Sequence, residues 1–269
     1  MITLLRRRDA LLLGGALAAF LALMVGLPLA SVLLSSVART WSMTPLPTAY
    51  TLRWFDAIRA ADLAALLTSL GVATGVGVFA AAFGTYAAYV VQRGRVPLSR
   101  LFDTLLMYTI ALPSVVIGLA VLVAFHRPPA VLTESFAGVL LAQVLIVLPF
   151  VFRTVSAVLH GIDPRLEEAA VGLGASEAGA FFRVVLPLVL PGMLSGFVLA
   201  FCLSIGELGA TLMVYPPGFS TVTLAIYALA LRGFYYQAAA LSVVMLAVSF
   251  AALLLLSQLR TRMRWATWL

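Results

Sequence analysis

Between Asp163 and Pro187 the chain reads Asp163-Pro164-Arg165-Leu166-Glu167-Glu168-Ala169-Ala170-Val171-Gly172-Leu173-Gly174, and after nine further residues Val184-Val185-Leu186-Pro187. The Asp163 carboxylate can accept from the free N–H groups of a helix that begins at Pro164, where proline costs nothing at the first position. Glu167 and Glu168 fall in the first two turns, toward the positive end of the helix dipole. Gly174 offers the left-handed residue that ends the helix, and Ser176 can cap a second short one. Pro187 is expected to end or kink whatever precedes it. The product is two short helices around a sharp glycine turn. Their outer face is small at Ala169, Ala170 and Gly172, with Leu166 and Val171 for apolar contact and glutamates for charge-assisted bonds. Such a face suits a partner's groove. An interfacial helix lying on lipid is the competing reading, disfavoured because an acidic helix is repelled by an anionic leaflet.

Long apolar segments flank this stretch. The chain is 63% hydrophobic and 10% charged, with mean hydropathy +1.12, far from a soluble domain whose apolar share is about half. A span needs about 20 apolar residues to cross a hydrocarbon core about 30 Å thick. Six segments qualify, at about 11–35, 63–91, 102–125, 136–159, 188–215 and 238–259. They are read as helices, because a lipid-facing backbone must bond within its own segment and the alternating pattern of a barrel is absent. The expected fold class is all-α: a polytopic protein, one integral membrane domain over 1–269, with a loop at 160–187.

Arginines orient the bundle, since loops on the cytoplasmic side keep positive charge. Twelve (Arg6, Arg7, Arg8, Arg93, Arg95, Arg100, Arg153, Arg165, Arg183, Arg260, Arg262, Arg264) fall on one side and five (Arg39, Arg53, Arg59, Arg127, Arg232) on the other. Both termini and the Glu168 loop are therefore expected in the cytoplasm. The same rule accounts for the net charge of +7 and pI near 10.2, and without a basic stripe interleaved with aromatics no nucleic-acid partner is expected. The apolar run after Arg8 is longer than the 7–15 residues of a cleavable signal core, so it is expected to remain as the first span. Cys202 is the only cysteine, which excludes an intrachain disulfide.

Other features are structural in first reading. Residues 36–62, with Trp41, Trp54, Pro45 and Pro47, form an outer loop, a lid or a spacer with aromatics at headgroup depth. Pro128 and Pro129 stop the preceding helix, leaving His126 an exposed singleton. Gly71 and Gly75, and again Gly192 and Gly196, stand at the i, i+4 spacing that lets membrane helices approach closely, with a dimer face as the sharper alternative.

Glu168-Ala169-Ala170, then Gly174, then Val184, Leu186 and Pro187 at these spacings resemble the signature loop of binding-protein-dependent ABC importer permeases, with Val184 where that pattern usually has isoleucine. The resemblance covers about Leu63 to Leu259. It implies the type I permease fold, and a cytoplasmic coupling helix that docks into a cleft of an ATP-binding subunit and transmits its closure. Glu167, Glu168, Ala169, Ala170, Gly174, Leu186 and Pro187 are the ATPase-coupling candidates. The implied partners are cytoplasmic ATP-binding subunits, a second permease subunit (identical or related), a periplasmic substrate-binding protein and membrane lipid, all at a bacterial inner membrane. A second stretch, Ser204-Ile205-Gly206-Glu207-Leu208-Gly209-Ala210-Thr211 through Tyr215-Pro216-Pro217-Gly218, is similar to permeases of 2-aminoethylphosphonate importers. Molybdate and sulfate permeases share its Gly-Glu-x-Gly-Ala-Thr core, so an oxyanion permease for molybdate, tungstate or sulfate is the alternative.

Glu207 is the one acid deep within an apolar span, where a carboxylate costs about 2.5–3.5 kcal/mol and so faces protein or water. Flanked by Gly206 and Gly209 and followed by Thr211, it marks a gate or pathway wall, or else a structural carboxylate bonded to a neighbouring helix. The chain contains no lysine, so the Gly-Lys-Ser/Thr phosphate loop is impossible and ATP hydrolysis must reside on another subunit. No catalytic constellation, metal cluster or cofactor motif is found. An ion-coupled secondary transporter would call for intramembrane charged pairs and inverted repeats, which are lacking beyond Glu207. A scaffold without a pathway is a third class, separable by reconstituted uptake.

Overall fold

The computed structural model describes residues 7–42, 44–94 and 99–266. Its helices are α1 (Arg7–Val37), α2 (Arg53–Asp56), α3 (Ala60–Gln92), α4 (Ser99–Ala111), α5 (Ser114–Ala124), α6 (Phe136–Leu159), α7 (Arg165–Gly172), α8 (Glu177–Ala180), α9 (Leu186–Ile205), α10 (Gly209–Val214), α11 (Val222–Leu231) and α12 (Tyr235–Ala266). A small antiparallel pair, β1 (Ala38–Thr40) with β2 (Ala49–Tyr50), is the one departure from all-α among the described residues. Among the described residues five helical stretches are long and apolar enough to cross a membrane, and a sixth is counted if a bent pair is taken as one span.

That bent pair corrects the sequence reading. The segment expected as one span at 102–125 is two helices meeting at 114°. Pro113 has no N–H to donate and disfavours helical backbone at Leu112, and it adopts ψ 139°, so α4 ends at Ala111 and α5 starts afresh at Ser114. The expected span at 188–215 also divides, because α9 stops at Ile205 and α10 begins only at Gly209. Helix α11 was not anticipated, lying in a stretch too short to span. Pro187 does not end the helix before it. The backbone widens into a π turn at Phe181–Val185 and runs on into α9, with Pro187 in the first turn.

The chain divides into two compact units, Met1–Leu63 with Ala225–Ala247 and Ala64–Leu224 with Val248–Leu269. In the first, the segment between α1 and α3 is bonded to itself and to the start of α12. The Trp54 indole donates to the Ala38 carbonyl at 2.7 Å and its ring stacks on Tyr236 at 5.5 Å. The Tyr236 hydroxyl accepts from the Trp41 N–H at 2.7 Å, and Gln237 donates to the Ala57 carbonyl at 3.0 Å.

In the second unit the core is the meeting of α3, α6 and α9. Val72, Val76 and Ala80 from α3, Val147, Val151, Phe152 and Val155 from α6, and Val189 and Ala200 from α9 are all buried. Glycine sets the spacing. A Cβ added to Gly84 would come within 2.9 Å of Val151 and one at Gly196 within 3.0 Å of the same side chain, so α3 and α9 both close on it. Gly192 is equally tight, at 2.7 Å from Val158. Gly71 and Gly75 differ. They share the spacing, but an added Cβ would meet nothing within 4 Å, so that pair is not a packing motif among the described residues.

Gly196→Leu should therefore destabilise the protein by about 1–3 kcal/mol through overpacking, lowering its unfolding midpoint in detergent, whereas Gly71→Ala should leave that midpoint unchanged. Equal effects at the two positions would contradict this packing.

Candidate functional site

Two places bring the sequence-derived candidates together: the α7–α8 loop, and the break between α9 and α10. The loop folds as its residue types require. The helix starts one residue later than expected, with Pro164 at its cap position, and Asp163 Oδ1 accepts from the N–H of its first residue, Arg165, at 2.9 Å. At the other end Gly174 has φ +94°, and the Ala175 N–H reaches back to the Ala170 carbonyl at 3.1 Å. A side chain there would be strained, which is why glycine holds the turn. Ser176 Oγ accepts from the Gly179 N–H at 3.1 Å and opens α8.

The loop presents two chemically distinct faces. Leu166, Glu168, Ala169, Val171 and Gly172 are exposed, and Leu173 most of all, at 90%. Glu167 turns the other way and is only 5% exposed. One of its carboxylate oxygens accepts from the Tyr89 hydroxyl, and the other lies 3.4 Å from Arg93 Nε. The adjacent glutamates thus differ in environment: Glu168 faces outward while Glu167 is held inside. Beside them a cavity of about 360 Å³ is lined by Arg93, Pro164, Glu167, Glu168, Val171 and Glu177. Leu186 is half-buried against the α3–α6–α9 core, and Pro187 is exposed.

At the second place, Glu207 sits in the gap between helices and is half-buried. Its Oε1 accepts from the Ala210 N–H at 2.6 Å, capping α10, and its carbonyl accepts from Thr223 Oγ1 at 3.0 Å. The carboxylate thus bonds the first turn of α10, across the break that follows α9. Thr211 is fully buried and accepts from Gln143 Nε2 at 2.9 Å, while the Ser204 hydroxyl donates to Gln143 Oε1. One amide on α6 thereby ties the end of α9 to α10. Gly209 lets α10 approach α5, since an added Cβ would lie 2.5 Å from Ser114 Oγ. Gly206 plays no such part, its nearest neighbour being the Cys202 carbonyl at 3.9 Å.

Tyr89, Arg93 and Gln143 were not singled out by sequence reasoning. Gln143 carried a signal, as an amide within an apolar span. Tyr89 carried none, because its partner stands 78 residues away. Among the described residues no group of three or more metal-ligating side chains occurs.

This architecture is shared with solved transporters. A bacterial ABC transporter involved in import of the acidic polysaccharide alginate matches with TM-score 0.75 at 16% identity, covering 95% of this chain and 96% of that one. The fold is thus that of a type I ABC importer permease. The chain belongs to the family of binding-protein-dependent transport system inner membrane components, whose model matches residues 80–265. A Salmonella typhimurium protein named as a 2-aminoethylphosphonate transport system permease, PhnV, is 36% identical over 238 residues, 88% of this chain and 89% of that one. The molybdenum transport permease ModB of Escherichia coli K12 is 35% identical over 61% of this chain and 78% of its own. The sulfate transport permease CysT of the same strain is 30% identical over 90% of this chain and 89% of its own. Members of this family are permease components, and ATP is hydrolysed on separate subunits of such importers.

Gln143→Leu would leave the buried Ser204 and Thr211 hydroxyls without their partner, at a cost of about 1–3 kcal/mol for each group stranded. The unfolding midpoint should fall; no change in Gln143→Leu would remove the network from the account.

Proposed function

We propose that this permease carries 2-aminoethylphosphonate or a related phosphonate inward, as one integral membrane domain that pairs with a second, identical or related permease. The observation that carries the substrate reading is the 36% identity to PhnV over 88% of the chain. The Glu207–Gly218 stretch supports it, through its likeness to phosphonate permeases. The 35% identity to ModB favours a second reading, a molybdate- or sulfate-type oxyanion permease. The two differ in a measurable way. In proteoliposomes containing the complex and its cognate binding protein, 2-aminoethylphosphonate should stimulate ATP hydrolysis and be taken up, while molybdate and sulfate should do neither. Stimulation by molybdate or sulfate alone would select the oxyanion reading.

In this reading the α7–α8 loop and both termini lie in the cytoplasm, which the arginine distribution supports. Glu168, Ala169, Ala170 and the Gly174 turn dock into an ATP-binding subunit, and Glu167, Leu186 and Pro187 join them to the membrane helices. What supports this is a small, exposed face on a short helix with an apolar tip at Leu173. Gly174→Arg forces a side chain onto positive φ, so it should insert normally yet lose substrate-stimulated ATPase activity. Retained stimulation would refute the docking role.

Glu207, Gly206, Gly209 and Thr211 form the pathway wall or gate. The reading is supported by a carboxylate placed at a helix break within the apolar part of the chain. Glu207→Gln keeps an oxygen for the Ala210 N–H and removes the charge. It should preserve assembly and reduce uptake by about tenfold or more, and uptake equal to wild type would leave Glu207 with a capping role alone.

A further inference from the structure

Helix α7 connects to the apolar part of the chain by two routes. One follows the chain through α8 into α9, and passes through the π turn at Phe181–Val185. Such turns interrupt the regular hydrogen-bond ladder and are common sites of bending. The other crosses from α7 to the end of α3. There one Glu167 carboxylate oxygen accepts a hydrogen bond from the Tyr89 hydroxyl, and the other is ion-paired with Arg93 Nε at 3.4 Å.

The second route has the marks of a joint. Tyr89 and Arg93 stand four residues apart, and the Arg93 N–H bonds the Tyr89 carbonyl at 3.0 Å, so both lie on one face at the end of a 33-residue helix. Arg93 also reaches the Ile162 carbonyl at 3.5 Å, just before α7, so it holds the loop at two points. The Tyr89 ring packs on Phe181 at 4.6 Å. The side chains of the ion pair are 12% and 7% exposed, so solvent screening weakens this pair far less than a surface one.

We infer that Tyr89 and Arg93 are positioning residues that fasten α7 to α3 through Glu167, so that displacement of the loop is delivered to α3 and not absorbed at the π turn. The inference rests on the reading of the α7–α8 loop as the ATPase-docking element.

The test uses the assembled complex and needs no transported substrate. Hydrogen–deuterium exchange of the peptide covering residues 86–92 is compared with and without ADP–vanadate. In wild type, nucleotide should change that exchange by about fivefold or more. In Glu167→Ala and in the milder Tyr89→Phe the change should largely vanish while the ATP-binding subunit still copurifies. The reversed pair Arg93→Glu with Glu167→Arg should recover at least part of it, which a generally loosened fold would not do. The inference is overturned if Tyr89→Phe and Glu167→Ala respond to nucleotide as wild type does, or if the reversed pair is no better than Glu167→Arg alone. Should the wild-type loop region fail to respond to an ATP-binding subunit at all, it is the docking reading that falls.

Discussion

A polar group surrounded by apolar side chains and lipid has no water to turn to, so its partners must come from the chain itself. This constraint explains features of the protein that sequence position alone would make look unrelated. Where α9 ends at Ile205, the Glu207 carboxylate supplies an acceptor to the first turn of α10. Where α9 and α10 bring buried hydroxyls together, Gln143 serves both with one amide. Where Pro113 removes a donor, the helix gives way and a new one begins at an angle. At the break between α9 and α10 the interruption is matched by local hydrogen bonds from Glu207 and Gln143.

The α7–α8 loop obeys the same rule in a different setting. A helix of eight residues has little stability of its own. It persists because Asp163 caps one end, the left-handed Gly174 closes the other, and Glu167 is fastened to Tyr89 and Arg93. With its anchoring assigned to the inner face, the outer face is left free of intramolecular duties. That division is what makes a small, exposed surface at Ala169 and Leu173 available for a partner. The family membership gives this surface its context, since such permeases depend on separate subunits for energy.

Much of this was readable from residues, and the misses have physical causes. The loop's caps and turn are local, involving residues within a few positions, so Asp163, Gly174 and Ser176 could be assigned from spacing. The span at 136–159 matched the observed α6, because a continuous apolar run bounded by turns leaves few alternatives. Pro113 lies inside a continuous apolar run, and hydropathy does not register a bend. The i, i+4 glycines show the limit of pattern reading: Gly192 and Gly196 pack tightly, while the identical spacing at Gly71 and Gly75 meets open space. The Glu167 anchor was out of reach for a different reason. It depends on how α3 lies against the loop, which no local pattern encodes, and so the two glutamates looked equivalent until their surroundings were known.

The central claim is that the outward face of α7 and its Leu173 tip meet an ATP-binding subunit. A photoreactive amino acid at Leu173, introduced into the assembled complex and illuminated, tests it most directly. The account expects a covalent adduct with the ATP-binding subunit, whose yield changes when nucleotide binds, and no such adduct from the same group placed at Leu67 on α3. Adducts formed only with lipid, or formed equally from both positions, would contradict it.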